Sequence, residues 1–394
     1  MTGDVPPANQ WLTRTRIMTT ARNWLERIRA LPLPPKIRIM NVCGGHERAI
    51  AAAGLRTALP EQIELIAGPG CPVCICPEED VYEAIQLALQ ERVVLLAFGD
   101  MLRVPVNVPK SEPRSLEQAK AAGADIRPIA SPLEAVRIAE AERDRTVVLF
   151  ATGFETTIAP VAAMLMAKPP ANLFVLLSGR LTWPAVAMLL ESGEAAFDAL
   201  VAPGHVATVM GSEEWEFVPQ RHGMPAAIAG FRPDTLLAAT YSVVRQKLSG
   251  RAFLDNCYPE VVRVGGNPVA RSFLASTMDV VDANWRGIGV IPRSGFAINE
   301  TFAAHDARRA LRSFAEVSRK RVGEMPPGCD CARVVLGKIK PNECRLYGLA
   351  CQPRTPIGPC MVSDEGACRI WWANGQRENQ WVGRRDAMQP PVAQ

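Results

Sequence analysis

From Lys36 onward, short runs of β-branched and aliphatic residues alternate with longer stretches whose apolar side chains recur every three or four positions. That alternation predicts an α/β fold with mainly parallel sheets. IRIMNV (38 to 42 and its flank), IELIAG (63 to 68) and VVLLAF (93 to 98) read as strands, with HERAIAAAGL and PEEDVYEAIQLALQ as the helices between them. Pro77 and the acidic residues after it suit the N-terminus of the second helix. After Ser131-Pro132 and the charged helix LEAVRIAEAERDR, a second series of strands follows in the same style. It consists of TVVLFATG (146 to 153), LFVLLSG (173 to 179), DALVAPG (198 to 204) and AAIAGF (226 to 231). Beyond it lie a helical stretch around Pro233 to Leu248, a further segment through GIGVIP (287 to 292) and a helix near Asn299 to Ser318. At the other end, Trp11, Leu12, Ile17, Trp24, Leu25, Ile28 and Leu31 fall at helical spacing among arginines, an amphipathic pattern that the prolines of Leu31 to Pro35 end.

The expected organisation is therefore four parts. Residues 1–35 form a helix packed on the tail, 36–130 a first α/β domain and 131–298 a second, with a Cys-rich C-terminal domain over 299–394.

Composition narrows the function classes. The 394 residues are 48% hydrophobic, which excludes a disordered chain, and 44 basic against 40 acidic side chains leave a formal charge of +4. That charge, with four histidines and four tyrosines, argues for no nucleic-acid face. Apolar runs are strand-sized, short of the roughly 18 to 20 residues of a membrane span. Asp4, Pro6 and Pro7 stand where a secretory leader would carry basic and then apolar residues. A cytoplasmic protein with no membrane partner is expected.

In such a compartment clustered cysteines more often bind metal or do redox chemistry than form structural disulfides. Of eleven, four lie between Cys43 and Cys76 and six between Cys329 and Cys368, while Cys257 stands alone and reads as core. Cys43-Gly-Gly-His46-Glu47 joins a strand to a helix, which places the thiol at a functional edge of an open sheet and near a helix N-terminus that favours its anion. With the imidazole of His46 it could hold iron or another transition metal, or it could be a buried cysteine in a glycine turn. Gly68-Pro-Gly-Cys71-Pro-Val-Cys74-Ile-Cys76 repeats the strand–loop–helix setting with a Cys-x-x-Cys pair able to cycle to a disulfide. No second such pair in this half completes a zinc site. Thr152-Gly-Phe-Glu155-Thr-Thr157 and Pro203-Gly-His-Val206 also end strands, where Thr156 and Thr157 could simply cap a helix and His205 occupy a turn.

The tail sets Cys329, Cys331, Cys344, Cys351, Cys360 and Cys368 among six prolines between Pro326 and Pro359. Six thiols exceed one tetrahedral site. Four could hold a [4Fe-4S] cluster or zinc in rigid prolyl loops, leaving two as a redox pair.

CGGHE (43 to 47), GPGCPVC (68 to 74), TGFETT (152 to 157), PGHV (203 to 206), WRGIGVIP (285 to 292) and PPGCDC...GPCMVSDEGAC (326 to 368) together resemble the hydrogenase maturation factor HypD family, from about Lys36 almost to the end. The resemblance implies two Rossmann-like domains plus an iron-sulfur domain. It implies a scaffold that, with HypC, assembles the Fe(CN)2CO unit of [NiFe]-hydrogenase, with cyanide supplied through HypE and HypF and a hydrogenase large-subunit precursor reached through HypC. It further implies a [4Fe-4S] cluster on Cys329, Cys344, Cys351 and Cys368, and Cys331 with Cys360 as a thiol relay toward Cys71 and Cys74. Cys43 would anchor the nascent iron, with His46 and Glu47 close by and Glu155 in the same cleft to take a proton or orient a donor. Cys76 adds a third thiol to the central loop. SGRLTWP (178 to 184) lacks an expected histidine-lysine pair, and Gly265-Gly266-Asn267 stands where Glu-Gly-Asn is usual. Two rival readings remain: a thiol-disulfide oxidoreductase fed by the cluster, and a zinc-stabilised interaction protein.

Overall fold

The computed structural model describes residues 20–193, 195–311 and 325–380. Eleven strands are described: β1 Ile37–Asn41, β2 Ile63–Ala67, β3 Val93–Phe98, β4 Asp125–Ile129, β5 Thr146–Gly153, β6 Leu173–Arg180, β7 Ala199–Pro203, β8 Ala226–Ala229, β9 Leu254–Asn256, β10 Met278–Trp285 and β11 Gly289–Ile298. They form two sheets, ordered β2-β1-β7-β8-β9 and β10-β11-β6-β5-β3-β4. The first is parallel throughout. The second is parallel from β6 to β4, and β11 runs antiparallel to both β6 and β10. The α/β class and the paired Rossmann-like sheets thus match the sequence pattern. The unbroken apolar runs follow from burial on both faces: every residue of β5 after Thr146 is buried, as parallel strands covered by helices on each side must be.

The division at residue 130 does not separate the sheets. β1 and β2 pair with β7 to β9, while β3 and β4 join β5 and β6. The chain crosses from the first sheet to the second through the cysteine loop after β2, and returns after β6. Strand periodicity says nothing about which sheet a strand enters, because partners are chosen by packing across the whole chain.

The N-terminal helix, described over Ala21–Arg29, packs on the first sheet's layer rather than on the described part of the tail. Trp24 and Ile28 are buried among Ile37, Leu237 and Val243, under the helix Pro233–Leu248. Thr20 caps it by accepting from the Asn23 N–H. The expected start over residues 11–19 lies outside the described residues. Of the helix expected near Asn299 to Ser318, the described part is a 3-10 turn at Glu300–His305 and a short helix at Ala307–Ala310; residues 312–318 lie outside. Among the described residues the Cys-rich tail has no separate core: five of its cysteines and Trp371 share one cluster with Ile75, Ile85, Leu95 and Phe150. Among the described residues no helix is long and apolar enough to cross a membrane.

Candidate functional site

In the first sheet, β1 lies between β2 and β7, so the chain leaves β1 for one neighbour while the other arrives from the second half. Such a reversal opens a crevice at the carboxyl ends of the strands. Cys43 stands at this point, as N-cap of the helix Gly44–Ala52. The loop after β2 closes one wall. Gly44 N–H donates to the Gly70 carbonyl at 3.0 Å, and a Cβ on Gly70 would lie 2.4 Å from the Cys43 Cα, so only glycine fits. Beside it Cys71 and Cys74 are joined as a disulfide. The crevice narrows to a cavity lined by Cys43, Cys71, Cys74, Cys360, Glu47 and Glu365.

Of the four cysteines lining the cavity, Cys43 alone is partly exposed as a residue. The backbone N–H groups of His46 and Gly45 at the helix terminus lower its thiol as expected, but burial first, and then the Glu365 carboxylate, outweigh them and push it up to about 12. A soft metal ion binding here would displace the proton.

His46 and Glu47 are close in sequence but differently engaged. The buried His46 ring donates from Nε2 to the Ala229 carbonyl at 3.0 Å and packs on Phe231, 4.9 Å between ring centres. It does not line the cavity; it ties the Cys43 helix to the end of β8. Burial lowers it to about 4, so it stays neutral. Glu47 does line the cavity, yet both oxygens are spoken for. Oε1 accepts from the Trp371 indole at 2.8 Å, and Oε2 accepts from Arg56 at 2.7 Å and Asn41 at 3.1 Å. Its carboxylate is a clamp between the Cys43 helix and the helix Ala367–Ala373 that carries Cys368.

Glu155 is not in this cavity. It begins the helix Glu155–Met166 on the second sheet and accepts from the Thr182 N–H and hydroxyl, each at 2.7 Å. Burial raises its carboxyl to about 7. Thr152 of the same motif instead reaches Cys76, 3.9 Å from its sulfur.

The tail thiols contact one another in pairs and accept from nearby backbone N–H groups. Cys329 and Cys331 sulfurs are 3.4 Å apart, the Cys368 N–H donates to the Cys360 sulfur at 3.3 Å, and the Ile357 N–H donates to Cys351 at 3.4 Å. A Cβ on Gly358 would lie 2.5 Å from the sulfurs of both Cys329 and Cys331. Hydrogen bonds from Cys331 and Cys368 hold Cys360 low, whereas burial holds Cys344 and Cys351 high. Cys360 alone among the six also lines the Cys43 cavity. Among the described residues no three donors converge on a single ion. A [4Fe-4S] cluster asks for something different, four thiolates on four separate irons.

A HypD family model, described as the hydrogenase formation hypA family, matches residues 19–375. The chain is 39% identical over 373 residues to the hydrogenase maturation factor HypD of Azotobacter vinelandii, covering 92% of this chain and 96% of that one. It is 37% identical over 348 residues to the Escherichia coli protein of the same name, covering 87% and 91%. The chain belongs to the HypD family.

This family member also has site residues that motif spacing did not single out. Asp100 follows β3 where the second sheet's order reverses between β4 and β5, the counterpart of Cys43 in the first. Its Oδ2 accepts from the Ser363 hydroxyl at 2.9 Å and the Asp364 N–H at 3.1 Å. The next residue, Glu365, presses on Gly44, whose Cβ would lie 2.4 Å from that of Glu365. Three tail residues thus span the reversal points of both sheets. A carboxylate just past an apolar strand was the available signal for Asp100; Glu365 had none beyond its place before Cys368.

Proposed function

We propose that the chain is a cytoplasmic scaffold that, with HypC, assembles the Fe(CN)2CO moiety of the [NiFe]-hydrogenase active site. In this reading HypE delivers cyanide drawn from HypF, and HypC passes the unit to a hydrogenase large-subunit precursor. The supporting observation is the single cavity that holds Cys43, the Cys71–Cys74 disulfide and Cys360. The iron unit is cargo: Cys43 offers a soft thiolate suited to low-spin iron, and Glu365 lines the same cavity, its carboxyl raised by burial first, with Asp100 also among the causes.

A [4Fe-4S] cluster on Cys329, Cys344, Cys351 and Cys368 would supply single electrons. Cys360 lines the cavity and is hydrogen-bonded with Cys331 and Cys368 of the tail. That placement supports a relay of thiols from the tail to Cys71 and Cys74.

The test is an infrared spectrum of the protein isolated anaerobically with HypC. Cyanide and carbonyl stretches are expected in the wild type and absent in Cys43→Ala. Bands that persist in the variant would remove Cys43 from the role. The disulfide in the cavity also favours a second reading, a cluster-dependent thiol-disulfide oxidoreductase, which requires turnover with a dithiol donor and no HypC.

A further inference from the structure

The loop that carries the disulfide has a third thiol, Cys76, which the function above does not use. Its neighbour across the molecule is the carboxyl end of β6, whose Ser-Gly-Arg sequence is equally unaccounted for. The two meet: the Cys76 sulfur is 3.4 Å from the Ser178 hydroxyl. Ser178 in turn donates to Asp80 at 2.6 Å, and Asp80 is held by Arg308 at 2.7 Å with Arg180 at 3.6 Å. A hydroxyl has one hydrogen. Because Ser178 gives it to Asp80, it can only accept from Cys76, so the thiol is the donor in this pair, and the Pro77 carbonyl at 3.8 Å and the Thr152 hydroxyl at 3.9 Å are longer contacts for the same hydrogen. Cys76 is also fully buried.

The surrounding contacts show what this bond holds. On one side the disulfide loop leans on Cys43 through Gly70. On the other, Cys76 meets the second sheet at Ser178 and, at 3.9 Å, at Thr152, and the Ile75 carbonyl accepts from the N–H of Arg286 in the β10–β11 turn at 3.0 Å. Disulfide exchange requires a thiolate as attacker, and a thiol committed as donor to Ser178 is not one.

We propose that Cys76 is a positioning residue for the Cys71–Cys74 couple, a buried hydrogen-bond donor that pins the loop to β6 and takes no part in disulfide exchange. The pairing in this three-thiol loop is therefore single, and the pinned loop keeps the Cys71 and Cys74 sulfurs at high effective concentration. This rests on the reading of Cys71 and Cys74 as a redox couple. Reduction breaks their S–S bond and takes two electrons and two protons, which dithiothreitol supplies as it closes to its own cyclic disulfide.

The test is equilibration of the full chain in dithiothreitol redox buffers, followed by alkylation and peptide mass spectrometry. Cys71 and Cys74 are expected to titrate together, and Cys76 to be alkylated only after denaturation. Cys76→Ala should lower the effective concentration about tenfold, moving the couple about 30 mV to less negative potential. Cys76→Ser, which restores a donor, should stay near wild type. If Cys76→Ala does not fold, Ser178→Ala removes the acceptor and should shift the couple in the same direction. A native peptide linking Cys76 to Cys71 or Cys74, or a wild-type potential in the folded alanine or Ser178→Ala variant, would overturn the proposal. The redox reading itself fails by another route, if a Cys71→Ala chain still assembles the infrared-active iron unit.

Discussion

His46 stands three residues from Cys43 and reads in sequence as a second metal donor, yet its imidazole is committed to the Ala229 carbonyl and sealed from water. Burial, aided by the nearby His205 ring and opposed by the carbonyl, takes it from 6.5 to about 4. The unfolded chain accepts a proton as pH falls through 6.5, while the folded chain does so only near 4. His46 therefore leaves stability untouched above pH 6.5 and erodes it from there down to pH 4, by at most about 3 kcal/mol. Glutamine at this position keeps a donor for Ala229 without a titrating ring. Urea unfolding at pH 7 and pH 4 should show the wild type losing about 3 kcal/mol more than His46→Gln; equal losses would mean the ring is charged in the folded protein. The same lesson holds for Glu155, whose two oxygens serve Thr182 in the second sheet's layer. In both cases residue type promised chemistry and the surrounding partners consumed it.

At the scale of elements, the site depends on how closely the loop after β2 meets the loop after β1. Gly70→Ala would drive a methyl to 2.4 Å from the Cys43 backbone. The expected outcome is a loss of about 1–3 kcal/mol, typical of overpacking, together with altered alkylation of Cys43; a variant that matches wild type in both would show that the loops can part freely. The second joint is the Glu47 clamp. Trp371 donates to Glu47 and Arg56 lies over the Trp371 ring at 5.2 Å, so one carboxylate binds the Cys368 helix to the Cys43 helix. Trp371→Phe keeps the ring and removes the donor. A loss of about 1–3 kcal/mol in chemical denaturation is expected for a bond to a buried charged group, and a change near zero would show that water replaces the indole.

For the whole molecule, the decisive fact is that each sheet draws strands from both sides of residue 130. Fragments 1–130 and 131–394 should each fail to fold alone, since β1 would lose β7 and β3 would lose β5. Sharp, dispersed amide spectra from either fragment alone would contradict this topology. The elements themselves were legible: β5 and β3 have the bounds their apolar runs predict, and the helix Pro233–Leu248 begins and ends where the pattern does. β10 was not, because MDVVDANW leaves Asp279 through Asp282 exposed on a hairpin and shows no buried face. Sequence determined the strand–helix alternation, the cysteine inventory and the family, because those depend on local periodicity and on motif residues adjacent in the chain. Only the tertiary structure decided which strands share a sheet, that Glu47 clamps while Glu365 faces the thiol, and that Cys360 joins the tail to Cys43. Those outcomes rest on contacts between residues hundreds of positions apart, set by burial and hydrogen-bond satisfaction across the whole fold, and no local pattern encodes them.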